Sequence, residues 1–310
     1  MASFRAIRAC NVDTSKLTFP TWVMPKIDGV RGLNPYGTLL TRTLALMPNL
    51  YTRERFSDNA CQGMDGELAA GLETDDDLCR KTTSATMSKE GEPEVMWHVF
   101  DLCDPSVKDL PYRERYAMLA KWVETCHANG HLPHVKVVPF REIYSLQEFD
   151  EAEAEWLDMG YEGIIQRDPD GLYKWGKSTE RQAIYTRRKP YEDTEGVLVV
   201  VHEAMENLNE ATIDAQGLTK RSSHQENKIG KGMSGALEIR RLSDGEVVRI
   251  GPGKLSHSER IALWNEKEQA IAEGRIVKYR HFPKGVLNKP RQGRFLCWRS
   301  SDDILPEESE

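Results

Sequence analysis

The chain has no apolar run approaching the roughly 18 residues a membrane-spanning helix needs. Its opening residues, MASFRAIRACNVDTSK, lack the apolar core of roughly 7–15 residues that marks a secretory signal. Cysteine is sparse: six residues, at 10, 61, 79, 103, 126 and 297, none of them in C-x-x-C spacing. That excludes the common zinc motifs and a disulfide framework, and fits reduced thiols. A cytoplasmic, monomeric protein is the expectation. No internal repeat is visible, and basic residues are in the minority, with a formal net charge of -7. The overall balance therefore argues against a uniformly cationic nucleic-acid binder.

What is present is unevenly spread. Residues 275–299, RIVKYRHFPKGVLNKPRQGRFLCWR, hold eight Lys/Arg and no Asp/Glu. Residues 167–190 hold seven basic and three acidic residues. The acid sits elsewhere, in ETDDD (73–77) and EFDEAEAEWLD (148–158). Two basic tracts in an acidic chain suffice for a phosphate-binding face, and equally describe a solvated surface.

At 310 residues the chain has room for one large or two ordinary domains. Short apolar runs alternating with Gly and Pro over 20–72 predict strands and hairpins. MWHVFDLCD (96–104) reads as a buried strand. Tyr112, Tyr116, Leu119 and Val123 recur at helical spacing, with Pro111 before them and Gly130 after. A second helix follows Ser145, with Glu148 in capping-box position and Leu146, Phe149 and Trp156 on one face. YEGIIQRD and EGVLVVVHE read as strands. After Pro190 the texture changes: a polar stretch over 206–233 predicts a long loop, GALEIRRLSDGEVVRIG a hairpin turning at Asp244-Gly245, and Ser256 or Ser258 caps one helix running to Gly274. Two further strands, 275–282 and 293–299, complete a pattern that suits a small barrel. The tail ILPEESE is expected to be disordered.

The segment WVMPKIDGVRGL (22–33) carries the chemistry. A lysine of ordinary pKa is about one part in a thousand neutral near pH 7.4, so making it a nucleophile costs roughly 4 kcal/mol. Burial, neighbouring cations or a metal supply that. Gly29 permits close backbone approach, and Arg31, two residues on, offers a fork of donors to a phosphate. K-x-D-G-x-R is thus the expected form of a Lys26 that attacks phosphorus; an ordinary lysine on a hairpin is the bland alternative. Further along, MDGEL supplies Glu67, HVFDL places Phe100 on a strand where a base can stack, YEGII supplies Glu162, and TRRKP brings Arg187 and Lys189 near the domain boundary. Together these are two carboxylates for a metal, an aromatic platform and phosphate-binding cations.

KIDGVR, TRTL, DGEL, VFDL, EGII and RRK stand in the order of the covalent nucleotidyltransferases, and the chain resembles the ATP-dependent DNA ligases among them. LYKWGKS (172–178), 209–232 and the closing KPRQGRFLCWRSSDD are similar to the small two-domain ligases of bacteriophages. The resemblance implies an α+β fold: an ATP-grasp-like adenylation (nucleotidyltransferase) domain of antiparallel sheets and helices over 1–190, then a small OB-fold β-barrel over 191–310. It implies three steps. Lys26 takes AMP from ATP, AMP passes to the 5′-phosphate of a nick in duplex DNA, and the 3′-OH then attacks. By matching positions, Arg31 and Arg42 bind phosphate, Glu67 contacts ribose or metal, Phe100 stacks on adenine, Glu162 supports Mg²⁺, and Lys189, with Arg187, holds the α-phosphate. Asp28 orients Lys26, touches the 3′ end or serves structure. A linker near 190–196 is expected to let the second domain swing. Lys220, Arg221, Lys228 and Lys231 in the loop, and Arg294 and Arg299 near the end, are expected at the DNA.

Two positions depart from the pattern. Many ligases carry Glu two residues before the lysine, where this chain has Met24. The first lysine of the K-x-K element is Arg187, which keeps the charge and cannot titrate. ATP is expected over NAD, because 25 residues precede Lys26, too few for a nicotinamide-binding domain, and zinc-finger cysteines are absent. His127, His131 and His134 resemble a metal site, and a polar loop after a helix explains them as well. The competing readings are an RNA ligase, an RNA-capping guanylyltransferase, and a non-catalytic nucleic-acid-binding protein on the same scaffold.

Overall fold

A computed structural model describes residues 4–282 and 291–300. The tail ILPEESE and part of the C-terminal basic tract lie outside the described residues. The chain divides into two units, 1–189 with 213–218, and 190–212 with 219–310.

In the first unit the strands are β1 (Cys10–Asn11), β2 (Thr21–Pro25), β3 (Val30–Leu33), β4 (Leu40–Thr41), β5 (Met64–Ala69), β6 (Met96–Leu102), β7 (Val135–Val137), β8 (Arg141–Ile143), β9 (Ile164–Arg167) and β10 (Tyr185–Arg188). Its helices are α1 (Leu50–Arg55), α2 (Leu78–Met87), α3 (Tyr112–Ala128) and α4 (Leu146–Asp158). They build two five-stranded sheets, ordered β1-β10-β9-β2-β8 and β4-β3-β5-β6-β7. Pairing is antiparallel except between β1 and β10 and between β6 and β7. The fold is thus mixed α and β, with mainly antiparallel sheets.

The local reasons are plain in the sequence. The interior strand β2 buries Val23, Met24 and Pro25 in succession, as a strand covered on both faces must. In α3, Tyr112, Tyr116, Leu119 and Val123 turn inward, and Gly130 takes a positive φ of 76° after its end. Ser145 accepts from the Glu148 amide at the start of α4, whose Phe149, Ala152 and Trp156 are buried. A core of Phe56, Trp97, Val99, Leu119 and Val123 anchors the second sheet. Met24, Ile27, Tyr112, Tyr116 and Val138 form another cluster, joined by the partly buried Phe100, and this one underlies the candidate site.

The second unit contains β11 (Glu192–Asn207), β12 (Ala211–Ile213), β13 (Thr219–Arg221), β14 (Lys228–Arg241), β15 (Val247–Ile250), α5 (His257–Asn265), α6 (Lys267–Ala272), β16 (Ile276–Phe282) and β17 (Arg291–Arg299). Five strands run in the order β15-β14-β11-β16-β17, and the chain just after β15 meets β17 through a parallel bridge, Gly251 to Arg294. Leu198, Leu237, Ile239, Val277 and Tyr279 fill its core.

Three expectations change. Residues 206–233 are no simple loop: β11 and β14 pair out to Asn207 and Lys228, and β12 and β13 form a two-stranded ribbon. Polar composition masked this pairing because both faces of the ribbon are exposed. The single helix ending at Gly274 is two, divided at Glu266. Residues 192–196 are not a linker, because Glu192 to Gly196 pair in register with His281 to Val277.

Candidate active site

Lys26 follows directly on β2. Its amide donates to the Gly163 carbonyl at 2.9 Å, and its carbonyl accepts from the Glu162 amide at 2.9 Å. The two segments KIDG and YEGI are thereby stitched backbone to backbone. A Cβ on Gly163 (φ 146°) would meet the Arg188 carbonyl oxygen at 2.3 Å, and one on Gly29 would meet that of Leu68 at 2.0 Å. Glycine at both positions is what lets these strands close around the lysine.

The Lys26 ammonium is partly buried and donates to the Glu162 carboxylate, whose other oxygen accepts from Lys189. Burial lowers the Lys26 pKa below its ordinary 10.5, helped by Arg187 and opposed by the Glu67 and Asp28 carboxylates. The same burial raises Glu67 to about 7, with Lys26 and Arg31 pulling the other way. One end of the site therefore weakens a lysine's hold on its proton while it strengthens a carboxylate's.

Two clefts meet at Lys26. The first is narrow and mostly apolar and is lined by Met24, Ile27, Phe100, Val138 and Ile165, with Glu67 and Lys26 at its polar side. Its apolar and aromatic lining suits the flat face of a planar ligand. The second is wider and cationic, with Arg8, Arg31, Arg42, Lys177 and Arg187 along its walls. Of the residues expected from sequence, Lys26, Glu67 and Phe100 line the first cleft, and Lys26, Arg31, Arg42, Glu67 and Arg187 line the second. Glu162 and Lys189 join through their bonds to and around Lys26.

Arg31 is held more firmly than a simple phosphate ligand. It forms a bidentate pair with the buried Asp65, Nε to Oδ1 at 2.7 Å and Nη2 to Oδ2 at 2.6 Å, and Tyr173 donates to Asp65 Oδ2 at 3.0 Å. Its guanidinium also lies over the Phe100 ring, 5.1 Å from the centroid. The His cluster is brought to no metal arrangement: His127 Nε2 lies 3.0 Å from both the Leu132 and Val135 carbonyls, which closes the turn after α3. Among the described residues no group of three or more His, Cys, Asp or Glu is placed to hold a metal ion.

Sequence reasoning missed Arg8, Lys177, Asp65 and Arg167. Arg8 and Lys177 are 169 positions apart and meet at an isolated bridge; the basic tract over 167–190 and the LYKWGKS segment hinted at the second. Asp65 precedes the Gly-Glu of the MDGEL segment and carried a signal that was passed over.

A family model described as the ATP dependent DNA ligase domain matches residues 47–183, a span that includes Glu67, Phe100 and Glu162. A DNA ligase of African swine fever virus is 22% identical over 228 residues, covering 70% of this chain and 47% of the viral protein, so the chain spans about half the length of the curated relatives it matches. Among solved structures, a Chlorella virus DNA ligase-adenylate is similar at 25% identity with TM-score 0.54, covering 96% of this chain and all of that one. A Lig E DNA ligase, from a study of DNA binding with a minimal scaffold, shares the fold at TM-score 0.70 and 21% identity, covering 95% and 99% of the two chains. No helix of the described residues is long and apolar enough to cross a membrane.

Proposed function

We propose that this chain is an ATP-dependent DNA ligase that seals nicks in duplex DNA through a covalent lysyl-AMP intermediate on Lys26. The observation that carries this reading is the place of Lys26: a partly buried amine of weakened basicity at the meeting of an apolar, Phe100-lined cleft and a cationic one. The base of ATP enters the first cleft and stacks on Phe100. The phosphates lie toward Arg31, Arg42 and Arg187, where their charge is neutralised. Neutral Lys26 Nζ attacks the α-phosphorus, its bond to the pyrophosphate oxygen breaks, and the amine loses its second proton as the phosphoramidate forms. Glu162, already hydrogen-bonded to Lys26 and Lys189, orients the amine and is the nearest acceptor for its proton. Lys189 then turns to the α-phosphate. In the second step an oxygen of the DNA 5′-phosphate displaces Lys26, and in the third the 3′-OH attacks that phosphate and AMP leaves.

The donor set would fit Mg²⁺ bound mainly through the phosphates of ATP, with the partly buried Glu67 carboxylate as the protein's contribution. Both oxygens of Glu162 are engaged by ammonium groups, so Glu162 takes part only when one of these moves. Such an ion supplies charge neutralisation at the phosphates. Residues 1–190 act as the adenylation domain. The strand order of the second unit, with the chain after β15 meeting β17, supports an OB-fold over 191–310. Its open face then offers the DNA contacts.

Incubation with α-labelled ATP and Mg²⁺ is expected to give an acid-labile, protein-bound label that is lost in Lys26→Ala. Failure to label with any nucleotide contradicts the reading, and label from GTP alone points to a capping enzyme. A nicked all-DNA duplex is expected to be sealed better than one with RNA strands.

A further inference from the structure

The apolar cleft ends on an arginine whose bonding is incomplete. Arg167, the last residue of β9, lines that cleft and is 2% exposed. Its guanidinium is fixed: the carbon lies 3.9 Å from the Tyr112 ring centroid and 4.3 Å from that of Tyr185, and Nη2 donates to the buried Asp101. Asp101 is shared, however. Arg115 takes it in bidentate fashion, at 2.8 and 3.2 Å, and satisfies Nη1 on the Leu110 and Gly171 carbonyls. One carboxylate thus serves two buried guanidiniums, and Arg167 is the one left short. Its Nε and Nη1 are buried without a hydrogen-bond partner. Buried donors on a charged group call for an acceptor.

The cleft lacks what would read an amino group from position 24, where Met24 presents a thioether. A purine entering it offers ring-nitrogen acceptors on its edges, and arginine is the side chain best shaped to meet such acceptors. We propose that Arg167 is the specificity-determining residue of the base cleft: its unpartnered Nε and Nη1 donate to a ring nitrogen of the purine, so the base is read through its acceptors rather than through its 6-amino group. This rests on the lysyl-nucleotide reading above and assigns that site its recognition element.

Purine riboside triphosphate, which lacks the amino group, is then used within a few-fold of ATP. Among 1-deaza-, 3-deaza- and 7-deaza-ATP, the one lacking the contacted nitrogen loses roughly 10- to 100-fold in kcat/KM, the worth of a hydrogen bond to a charged donor, with the loss in KM. Arg167→Met leaves Asp101 in a one-to-one pair with Arg115, so the variant buries no unpaired charge. In that variant ATP and the same deaza analogue are expected to become equivalent.

The test is single-turnover labelling of the full chain with ATP and these four analogues, in wild type and in Arg167→Met. Rejection of purine riboside triphosphate with all three deaza compounds accepted overturns the proposal, as does an unchanged ATP-to-analogue ratio in the variant. Equal use of every analogue by the wild type also overturns it, since Nε and Nη1 then make no bond to the base. These results leave the ligase reading standing, whereas no label from ATP itself overturns both.

Discussion

The Lys26 cleft and the C-terminal basic tract make opposite use of charge. The cleft's cations come from separate segments, at positions 8, 26, 31, 42, 177 and 187, and converge on one space. The tract's cations are contiguous in sequence, and the fold disperses them. Arg280 pairs bidentately with Asp193 at 2.7 and 3.0 Å, Arg299 meets Glu195 at 2.7 Å, and Arg275 meets Glu273 at 2.9 Å. These three of the tract's eight cations are therefore answered by acids from β11 and from the residue after α6. Linear charge says little about spatial charge, and a basic run is a weaker pointer to a phosphate site than motifs that fold together.

The comparison can be broken from either side. The largest effect is expected at the cleft. Lys26→Ala and Lys26→Arg both abolish nucleotide transfer, the second because guanidinium does not deprotonate; a labelling assay measures it. Next is Asp65→Asn, which strips the buried Arg31 of its counter-charge and costs about 3–5 kcal/mol of stability, seen as a fall in the denaturant midpoint. The pH profile comes third. Because burial lowers Lys26 below its ordinary pKa, the neutral amine is more abundant at any given pH than for an exposed lysine, and the first-step rate rises with pH to an inflection below 10.5. An inflection at or above 10.5 would place Lys26 in water. The smallest effect belongs to the tract: Arg280→Gln or Arg299→Gln removes a partly exposed pair worth about 0–1 kcal/mol, so thermal unfolding should barely shift.

How much of this was legible follows the same division. Lys26, Glu67, Phe100 and Glu162 were visible because each stands in a short pattern whose neighbours have their own physical reason: Gly29 and Gly163 are there for close backbone approach. The helices α3 and α4 were visible because one apolar face repeats at helical spacing. Arg8 and Lys177 were not, because nothing local marks a contact across 169 positions. Arg167 was counted only as one charge in a basic tract; its importance comes from what it lacks, two hydrogen-bond partners, and only the packed structure shows that. The ribbon of β12 and β13 was hidden because exposed strands carry no apolar alternation. Arg31 is legible as a donor to phosphate, while its pairing with Asp65, directly opposite Leu33 on the neighbouring strand, appears only in the folded sheet.

The central claim is that Lys26 is the residue that becomes covalently bound to AMP. Peptide mapping by mass spectrometry after incubation with ATP and Mg²⁺ tests it most directly. The expected result is a single AMP adduct on the peptide containing Lys26, absent in Lys26→Ala and removed when nicked DNA is added. An adduct on Lys177 or Lys189 instead, or one that persists in Lys26→Ala, would contradict the account.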